Sequence, residues 1–191
     1  MKFIRCRISD VILMEPKMFG DERGYFIETF REDKLKEFLG YKINFCQDNE
    51  SKSKKGVLRG LHYQLPPFAQ TKLVRVIQGK VLDVAVDIRK GSPTFGKYVA
   101  VELSGDNKRQ LLIPKGFAHG FVTLEDDTIF NYKVDNYYSP ECERGIKFDD
   151  LEIGIDWNFL KDEIIISDKD KNAPFLKDAE IFDYKKDLYN G

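Results

Sequence analysis

The chain has 191 residues, and its 31 basic and 32 acidic side chains leave a net charge of -1. This balance excludes the extended positive surface that nucleic acids and anionic membranes attract, so we expect neither as a partner. With 42% hydrophobic and 33% charged residues, the composition is that of a folded globular protein, and the length predicts a single domain over residues 1–191.

The N-terminus and the cysteines both bear on where the protein works. Lys2 and Arg5 interrupt the short apolar runs at the N-terminus, whereas a signal peptide or membrane span needs a continuous apolar stretch. Cys6, Cys46 and Cys142 are odd in number and form no Cys-x-x-Cys pair, which disfavours a disulfide framework and a structural zinc site. We therefore expect a soluble protein of the cytoplasm.

A helix is predicted for residues 31–39. Leu35, Phe38 and Leu39 lie among charged residues at helical spacing, and Gly40 is suited to end the helix in the left-handed conformation. Most of the remaining chain consists of short β-branched and aromatic runs separated by Gly, Pro, Asn and Asp. That pattern is typical of an antiparallel sandwich or barrel.

The clearest predicted strand covers residues 81–88. One face carries four aliphatic residues and the other carries two acidic ones: Leu82, Val84, Val86 and Ile88 against Asp83 and Asp87. Turn sequences at 90–93, 104–107 and 125–127 are spaced as in consecutive strands of an all-β fold. Only the segment 171–191 is expected to be peripheral.

The chain contains two histidines, His62 and His119, and each lies beside a glycine in an apolar, strand-like run. Imidazole is the side chain that titrates near neutral pH, and a neighbouring glycine lets a ligand approach the backbone closely. From these residues alone, two hydrogen-bonded core histidines are the alternative to a functional pair.

Residues 114–119 resemble the second motif of the cupin superfamily, whose double-stranded β-helix often holds a metal, so a metal site is one possible function of the histidines. The first cupin motif supplies a His-x-His pair, but here Gln64 stands two residues after His62. No other histidine completes a three-histidine ligand set, so we expect no bound metal.

A series of motifs runs in order through about nine-tenths of the chain. They include Phe19-Gly20-Asp21-Glu22-Arg23-Gly24-Tyr25-Phe26, Gly56-Val57-Leu58-Arg59-Gly60-Leu61-His62-Tyr63-Gln64, Ile113-Pro114-Lys115-Gly116-Phe117-Ala118-His119-Gly120-Phe121 and Ser167-Asp168-Lys169-Asp170. In these motifs the sequence resembles the dTDP-4-dehydrorhamnose 3,5-epimerase family, whose members are metal-free cupins. The resemblance implies an all-β, cupin-type double-stranded β-helix, or jelly-roll barrel, with a few short helices.

The family inverts C3 and C5 of a dTDP-linked 4-keto-6-deoxy sugar. The resemblance therefore implies an isomerase without a cofactor that converts dTDP-4-dehydro-6-deoxy-D-glucose into dTDP-4-dehydro-L-rhamnose. This reaction belongs to dTDP-rhamnose biosynthesis and so to cell-surface polysaccharide formation. It also implies a homodimer in which the subunits exchange N-terminal strands, an arrangement that protects open sheet edges.

The resemblance also implies catalytic roles. Removing a proton next to a ketone requires a base and stabilisation of the enolate that forms. His62 matches the family's base, and Asp170 matches the carboxylate that orients it, with Asp168 as the alternative for that role. Tyr132 matches the acid that delivers a proton to the opposite face, and Lys72 matches the cation near the C4 oxygen.

Further matched positions are those that hold the substrate. The cations for the diphosphate or sugar are Arg23, Arg59 and Lys169. The side chains at the nucleotide end are Glu28, Gln47, Asp48 and Asn49 for the base edge, and Phe26, Phe19 or Tyr138 for stacking. Two more substrate contacts are implied at His119 and Glu143.

An irregularity is predicted in the strand that carries His62. Arg59 and His62 are three residues apart, so a regular strand would turn them to opposite faces. A β-bulge brings both to one face, and Gly60 is the residue that can supply it.

The same motifs allow three alternative functions. A C3-only epimerase or a ketoisomerase on a related nucleotide-linked 4-keto sugar would share the base and the acid. A cupin-fold module that only binds nucleotide sugars would need neither, so Tyr132, Lys72 and the pair His62 and Asp170 argue against it. A metal-dependent cupin oxygenase conflicts with the missing histidine ligands.

Overall fold

The computed structural model describes residues 1–159 and 161–189. In chain order its strands are β1 (Lys2–Arg5), β2 (Ile12–Glu15), β3 (Met18–Asp21), β4 (Gly24–Ile27), β5 (Gln47–Ser53), β6 (Leu58–Gln64), β7 (Lys72–Gln78), β8 (Lys80–Asp87), β9 (Arg89–Lys90), β10 (Tyr98–Ser104), β11 (Gln110–Ile113), β12 (Phe117–Thr123), β13 (Thr128–Val134), β14 (Glu143–Gly145) and β15 (Phe182–Asp183). The α-helices are α1 (Glu32–Leu39) and α2 (Asp168–Lys171), and 3₁₀ turns cover Lys161–Glu163 and Leu176–Asp178.

Two antiparallel sheets form the barrel. The six-stranded sheet has the order β1-β2-β11-β7-β13-β5, and the five-stranded sheet has the order β10-β8-β12-β6-β14. Neighbouring strands come from distant parts of the chain, since β2 pairs with β11 and β6 pairs with β12. Side chains from both sheets, among them Val74, Leu103, Phe121 and Phe130, meet in an inner core. The predicted all-β barrel with a few short helices is confirmed.

β8 has the predicted alternation, and both of its faces are buried. Leu82 and Val84 join the core outside the five-stranded sheet, whereas Val81 and Ala85 belong to the inner core. Asp83 shares the inner face with Val81 and Ala85 and is fully buried. Since a buried carboxylate needs a charged or hydrogen-bonding partner, this position points to a polar group inside the barrel.

α1 covers the outer face of the six-stranded sheet, where Leu35 joins a third apolar cluster with Ile12 and Leu73. The helix ends at Gly40, whose φ of 84° is left-handed and whose N–H donates to the carbonyl of Lys36. The predicted helix is confirmed, and it begins one residue later than expected. No helix in the described ranges is both long enough and apolar enough to cross a membrane.

The C-terminal segment packs more closely than its sequence predicts. Leu176 and Phe182 are each only 4% exposed and join the core outside the five-stranded sheet. The N–H of Leu176 donates to Asp150 Oδ2 over 2.7 Å, and β15 pairs in parallel with β9. Most of residues 171–189 are exposed, as a peripheral segment would be, but Leu176 and Phe182 anchor the segment because the apolar outer face of the sheet needs a cover.

The predicted irregularity at Gly60 is confirmed. The pairing of β6 with β12 shifts by one residue, so that Gly60 and Leu61 together lie opposite Gly120. Arg59 and His62 consequently both line the barrel interior, while Leu61 packs outward. Gly60 has a φ of 128°, and a Cβ added there would lie 2.5 Å from the Cα of Gly120. Only glycine allows the two strands to approach this closely.

Gly60→Ala is therefore expected to lower the free energy of unfolding by about 3 kcal/mol or more, through backbone strain and a backbone clash together. Gly24→Ala is a matched control, because Gly24 has a φ of 130° but a Cβ there meets nothing within 4 Å. The control should lose only about 1 kcal/mol. Urea denaturation followed by circular dichroism measures both variants, and equal losses would contradict the steric explanation.

Candidate active site

A cavity of about 600 Å³ lies inside the barrel, between β6 and β12 on one side and β7 and β13 on the other. The four residues predicted to be catalytic all line it: His62, Lys72, Tyr132 and Asp170. Four of the predicted substrate contacts join them: Asn49, Arg59, His119 and Lys169. The fold thus brings residues from both sheets and from α2 to one interior space.

His62 on β6 contacts Asp170 on α2, with 2.7 Å between His62 Nε2 and Asp170 Oδ1. The backbone N–H of Asp170 donates to Ser167 Oγ, which caps α2, over 3.2 Å. The N–H of Gly60 donates to the second carboxylate oxygen over 3.4 Å. Asp168 has a side chain that is 96% exposed. Of the two predicted partners, only Asp170 reaches His62.

The Asp170 carboxylate is kept ionised. Burial raises the pKa of this carboxyl, but the hydrogen bond and charge of His62 lower it, and so do the bonds from Gly60 and Ser167. The net pKa lies below the ordinary value of an aspartate. The contact therefore stabilises the fold at neutral pH, and that stabilisation is lost as the pH falls through the lowered pKa.

Lys72 begins β7 and reaches the cavity from the six-stranded sheet. Burial lowers the pKa of its ammonium to about 8, although the charges of Asp83 and Glu143 act in the opposite direction. At pH 7 the side chain is therefore mainly charged, with roughly a tenth of the molecules neutral. A cation at the wall of a cavity inside the barrel interacts more strongly with a nearby negative charge than a cation in bulk water does.

Tyr132 on β13 lies between Val74 of β7 and Asn49 of β5. Burial raises the pKa of its phenol; the positive charge of Arg59 partly opposes this, and Glu143 adds to it. A phenol with a raised pKa stays protonated throughout the neutral range. Tyr132 can therefore donate a proton or a hydrogen bond into the cavity.

His119 forms a second pair inside the barrel. Its Nε2 lies 2.9 Å from Asp83 Oδ2 and 3.1 Å from Oδ1, and its ring stacks on Phe130 with centroids 6.2 Å apart. Burial lowers the pKa of His119, while Asp83 acts in the opposite direction. The described residues include no group of three or more His, Cys, Asp and Glu side chains arranged to hold a metal ion.

Five predicted substrate contacts form a connected chain beside the cavity. Lys169 Nζ lies 2.5 Å from Glu143 Oε2, and the hydroxyl of Tyr138 donates to the same oxygen over 2.8 Å. The N–H of Tyr138 donates to Gln47 Oε1 over 3.2 Å, and Gln47 Nε2 donates to Asn49 Oδ1 over 2.9 Å. Burial raises the pKa of Glu143, but its two hydrogen bonds outweigh this and lower it.

Three predicted substrate contacts lie on or just after the exposed hairpin of β3 and β4, away from the cavity of their own chain. Arg23 pairs with Asp21 over 2.5 Å, and Phe26 is 67% exposed. Glu28 follows the hairpin and lies 3.3 Å from Arg31. Within one chain the structure does not bring these three residues to the other site residues.

Asp48 also faces away from the cavity. Its neighbour Asn49 points into the barrel opposite Tyr132, so Asp48 points to the outer face of β5. There it pairs with Lys133. The strand alternation thus separates Asp48 from the polar residues on either side of it.

Several residues of the site were not predicted from the sequence. Asp83 had a local signal, since it is an acidic residue in the apolar run of β8. Ser167, Phe121, Phe130 and Ile165 also line the cavity. Phe121 and Ser167 belong to motifs of the family and could have been found there, whereas Phe130 and Ile165 lie outside the quoted motifs and look like ordinary core or loop residues.

The cavity of this jelly-roll barrel has a histidine with its carboxylate on one wall and a tyrosine and a lysine on the other. This arrangement defines an acid–base enzyme of the cupin type. Comparison with known proteins identifies the family. The model of the dTDP-4-dehydrorhamnose 3,5-epimerase family matches residues 5–178. The chain therefore belongs to this family, as its motifs predict.

Individual relatives agree with this assignment. A dTDP-4-dehydrorhamnose 3,5-epimerase of Shigella flexneri is 56% identical over 182 residues, which are 95% of this chain and 99% of the relative. The structure of a dTDP-6-deoxy-D-glucose-3,5-epimerase from Legionella pneumophila, in complex with dTDP-4-keto-L-rhamnose, has a TM-score of 0.92 at 48% identity and covers 97% of this chain and 99% of that one. The structure of a 3′-monoepimerase of Streptomyces bikiniensis, in complex with dTDP-quinovose, has a TM-score of 0.84 at 33% identity. It covers 90% of this chain and 86% of that one. The predicted cupin-type barrel is confirmed.

Lys72→Met is expected to stabilise the fold at pH 7, by on the order of 2 kcal/mol, because the folded chain then buries no ammonium. The pKa of this lysine is 10.5 in the unfolded chain and about 8 in the folded one. Between pH 8 and pH 10.5 the folded protein therefore no longer buries a charge, and the wild type gains stability as the pH rises. The advantage of Lys72→Met should therefore shrink as the pH rises through that window.

Urea denaturation at pH 7 and pH 10 measures this change. Lys97→Met, at an exposed lysine, is the control and should show no comparable pH dependence. A Lys72→Met protein that is less stable than the wild type at pH 7 would contradict the account of a costly buried charge.

Proposed function

We propose that the chain inverts C3 and C5 of dTDP-4-dehydro-6-deoxy-D-glucose and so forms dTDP-4-dehydro-L-rhamnose. One observation carries the proposal: His62, Asp170, Tyr132 and Lys72 converge on one interior cavity. The relatives support it, since they are 3,5-epimerases by name and one of them holds dTDP-4-keto-L-rhamnose.

His62 is the proposed base. Because Nε2 is bonded to Asp170, that nitrogen carries the ring proton and the lone pair of Nδ1 is left for the substrate. Nδ1 takes the proton from C3 or C5, each of which is next to the C4 ketone. The ionised Asp170 stabilises the imidazolium that results, as a neighbouring negative charge favours the charged ring.

Lys72 is the proposed partner of the enolate. As the proton leaves carbon, negative charge develops on the C4 oxygen, and a fixed cation beside that oxygen lowers the barrier. The pKa of about 8 keeps most of the ammonium charged at pH 7. Activity is expected to fall as the pH rises above 8, when this charge is lost.

Tyr132 is the proposed acid. It belongs to the six-stranded sheet, whereas His62 belongs to the five-stranded sheet, so the two residues line opposite walls of the cavity. An enolate between them loses its proton on one face and gains a new one on the other, which inverts the carbon. Exchange with solvent then restores both side chains for the second carbon.

The remaining polar residues are proposed to hold the nucleotide sugar. The diphosphate is assigned to two cations that line the cavity, Arg59 and Lys169. The sugar is assigned to His119 and Glu143, and the nucleotide end to Gln47, Asn49 and Tyr138. The connected bonds of Tyr138, Gln47 and Asn49 support a preformed surface for a base edge.

Inversion at C3 alone is the second candidate, because the 3′-monoepimerase of Streptomyces bikiniensis shares the barrel at 33% identity. It would use the same base and acid and differ in how the sugar ring is presented. The identity of 56% to a named 3,5-epimerase favours the double inversion.

Incubation with the 4-keto sugar nucleotide in deuterated water tests the reaction, with NMR following the label into C3 and C5. We expect label at both carbons, and label at C3 alone would contradict the 3,5-assignment. His62→Ala should lower exchange by about 10³-fold, in the range of a lost general base. Tyr132→Phe should retain exchange but invert poorly. Tyr98→Phe, on β10 away from the cavity, is the control and should behave as the wild type.

We further propose that the chain acts in the cytoplasm as a homodimer whose subunits exchange their N-terminal strands. The hairpin of β3 and β4 exposes large apolar side chains, including Phe19 at 50% and Tyr25 at 57%. Exposed apolar surface of this kind is typical of a protein interface. Arg23 and Phe26 lie on this hairpin, away from the cavity of their own chain. In the exchanged dimer they would instead complete the cavity of the partner subunit.

Subunit complementation tests this exchange. Arg23→Ala and His62→Ala dimers should each be impaired, whereas mixed dimers made by co-refolding should regain up to half of the wild-type activity. In a mixed dimer, one cavity keeps its own His62 and receives an intact Arg23 from the other subunit. If Arg23 served the cavity of its own chain, every mixed dimer would stay impaired, and different affinity tags on the two variants would show whether mixed dimers had formed.

A further inference from the structure

The chain continues beyond the family match, which ends at residue 178. From there it crosses the outer face of the five-stranded sheet, where Phe182 is buried. Tyr189 then lies beside the residue that precedes β7. The ring of Tyr189 packs against Tyr41, with centroids 5.3 Å apart, and the ammonium of Lys115 lies 5.0 Å from its centroid. The N–H of Lys115 donates to the Tyr189 hydroxyl over 3.2 Å.

The Tyr189 hydroxyl also lies 3.0 Å from Thr71 Oγ1, within hydrogen-bond distance. Thr71 is fully buried, and its backbone N–H donates to Asp135 Oδ1 over 2.6 Å. Its carbonyl accepts a bond from the N–H of Asp135. Asp135 therefore holds the backbone of Thr71, and Tyr189 holds its side chain.

Thr71 immediately precedes Lys72, the first residue of β7. In the six-stranded sheet Lys72 lies between Ile113 of β11 and Val134 of β13. Neighbouring side chains of an extended chain point to opposite faces, so a bond to the side chain of Thr71 restrains the backbone from which Lys72 points inward. Displacing a group at the reacting centre by about 1 Å can cost about 100-fold in rate.

We propose that Tyr189 is a positioning residue for Lys72. Its hydrogen bond to Thr71 holds the start of β7 and thereby aims the Lys72 ammonium at the C4 oxygen of the substrate. This inference rests on the proposed role of Lys72 in epimerisation. It assigns a function to a part of the chain that the family model does not include.

A double-mutant cycle tests the proposal. Tyr189→Phe removes only the phenol oxygen, and Thr71→Val removes the other partner of the same hydrogen bond. In the deuterium-exchange assay each single variant is expected to lower kcat about ten-fold and to leave KM within about two-fold of the wild type. The double variant should be no more than about two-fold slower than either single one, because the hydrogen bond between Thr71 and Tyr189 is the one interaction that both changes remove.

Tyr184→Phe is the matched control, since it makes the same chemical change in the same segment, where the ring lies against Arg89. It should keep the wild-type kcat. Single variants with unchanged kcat, losses confined to KM, or losses that multiply in the double variant would each overturn the positioning role while leaving the proposed function standing. A wild-type protein that exchanges no label would overturn the proposed function, and this inference with it.

Discussion

The contact between His62 and Asp170 is the interaction on which the rest of the site depends. It joins β6 to α2 across 108 positions of the chain and leaves one imidazole nitrogen for the substrate. The bulge at Gly60 turns His62 inward and directs a backbone N–H to the carboxylate, while Ser167 caps the short helix that carries Asp170. The proposed base is therefore held by backbone features of two separate elements and not by its side chain alone.

The barrel interior holds more ionisable groups than an apolar core tolerates without compensation. Two His–Asp contacts, His62 with Asp170 and His119 with Asp83, pair opposite charges whenever the rings are protonated. Lys72 instead carries a lowered pKa, because its ammonium is partly removed from water. Such a site costs stability. Apolar clusters on the outer faces of both sheets, covered by α1 and by the C-terminal segment, offset that cost.

Much of the fold could be predicted because its signals are local. Alternating side chains mark β8, Gly40 marks the end of α1, and the spacing of Arg59 and His62 required the bulge at Gly60. The C-terminal segment was predicted less well. Its buried residues, Leu176 and Phe182, are too few to form a pattern, and their burial depends on the sheet face that they happen to cover.

The sequence by itself determined the family and, through the family, the barrel class, and it supplied the proposed acid–base residues, because all of these follow from motifs within short stretches. Only the tertiary structure decided which residues meet. It selected Asp170 over the exposed Asp168, paired His119 with Asp83, turned Asp48 away from Asn49 and brought Tyr189 to Thr71. Each of these contacts joins separate elements or depends on which face of a strand is turned inward. Pairing between distant strands sets such geometry, and no local pattern encodes it.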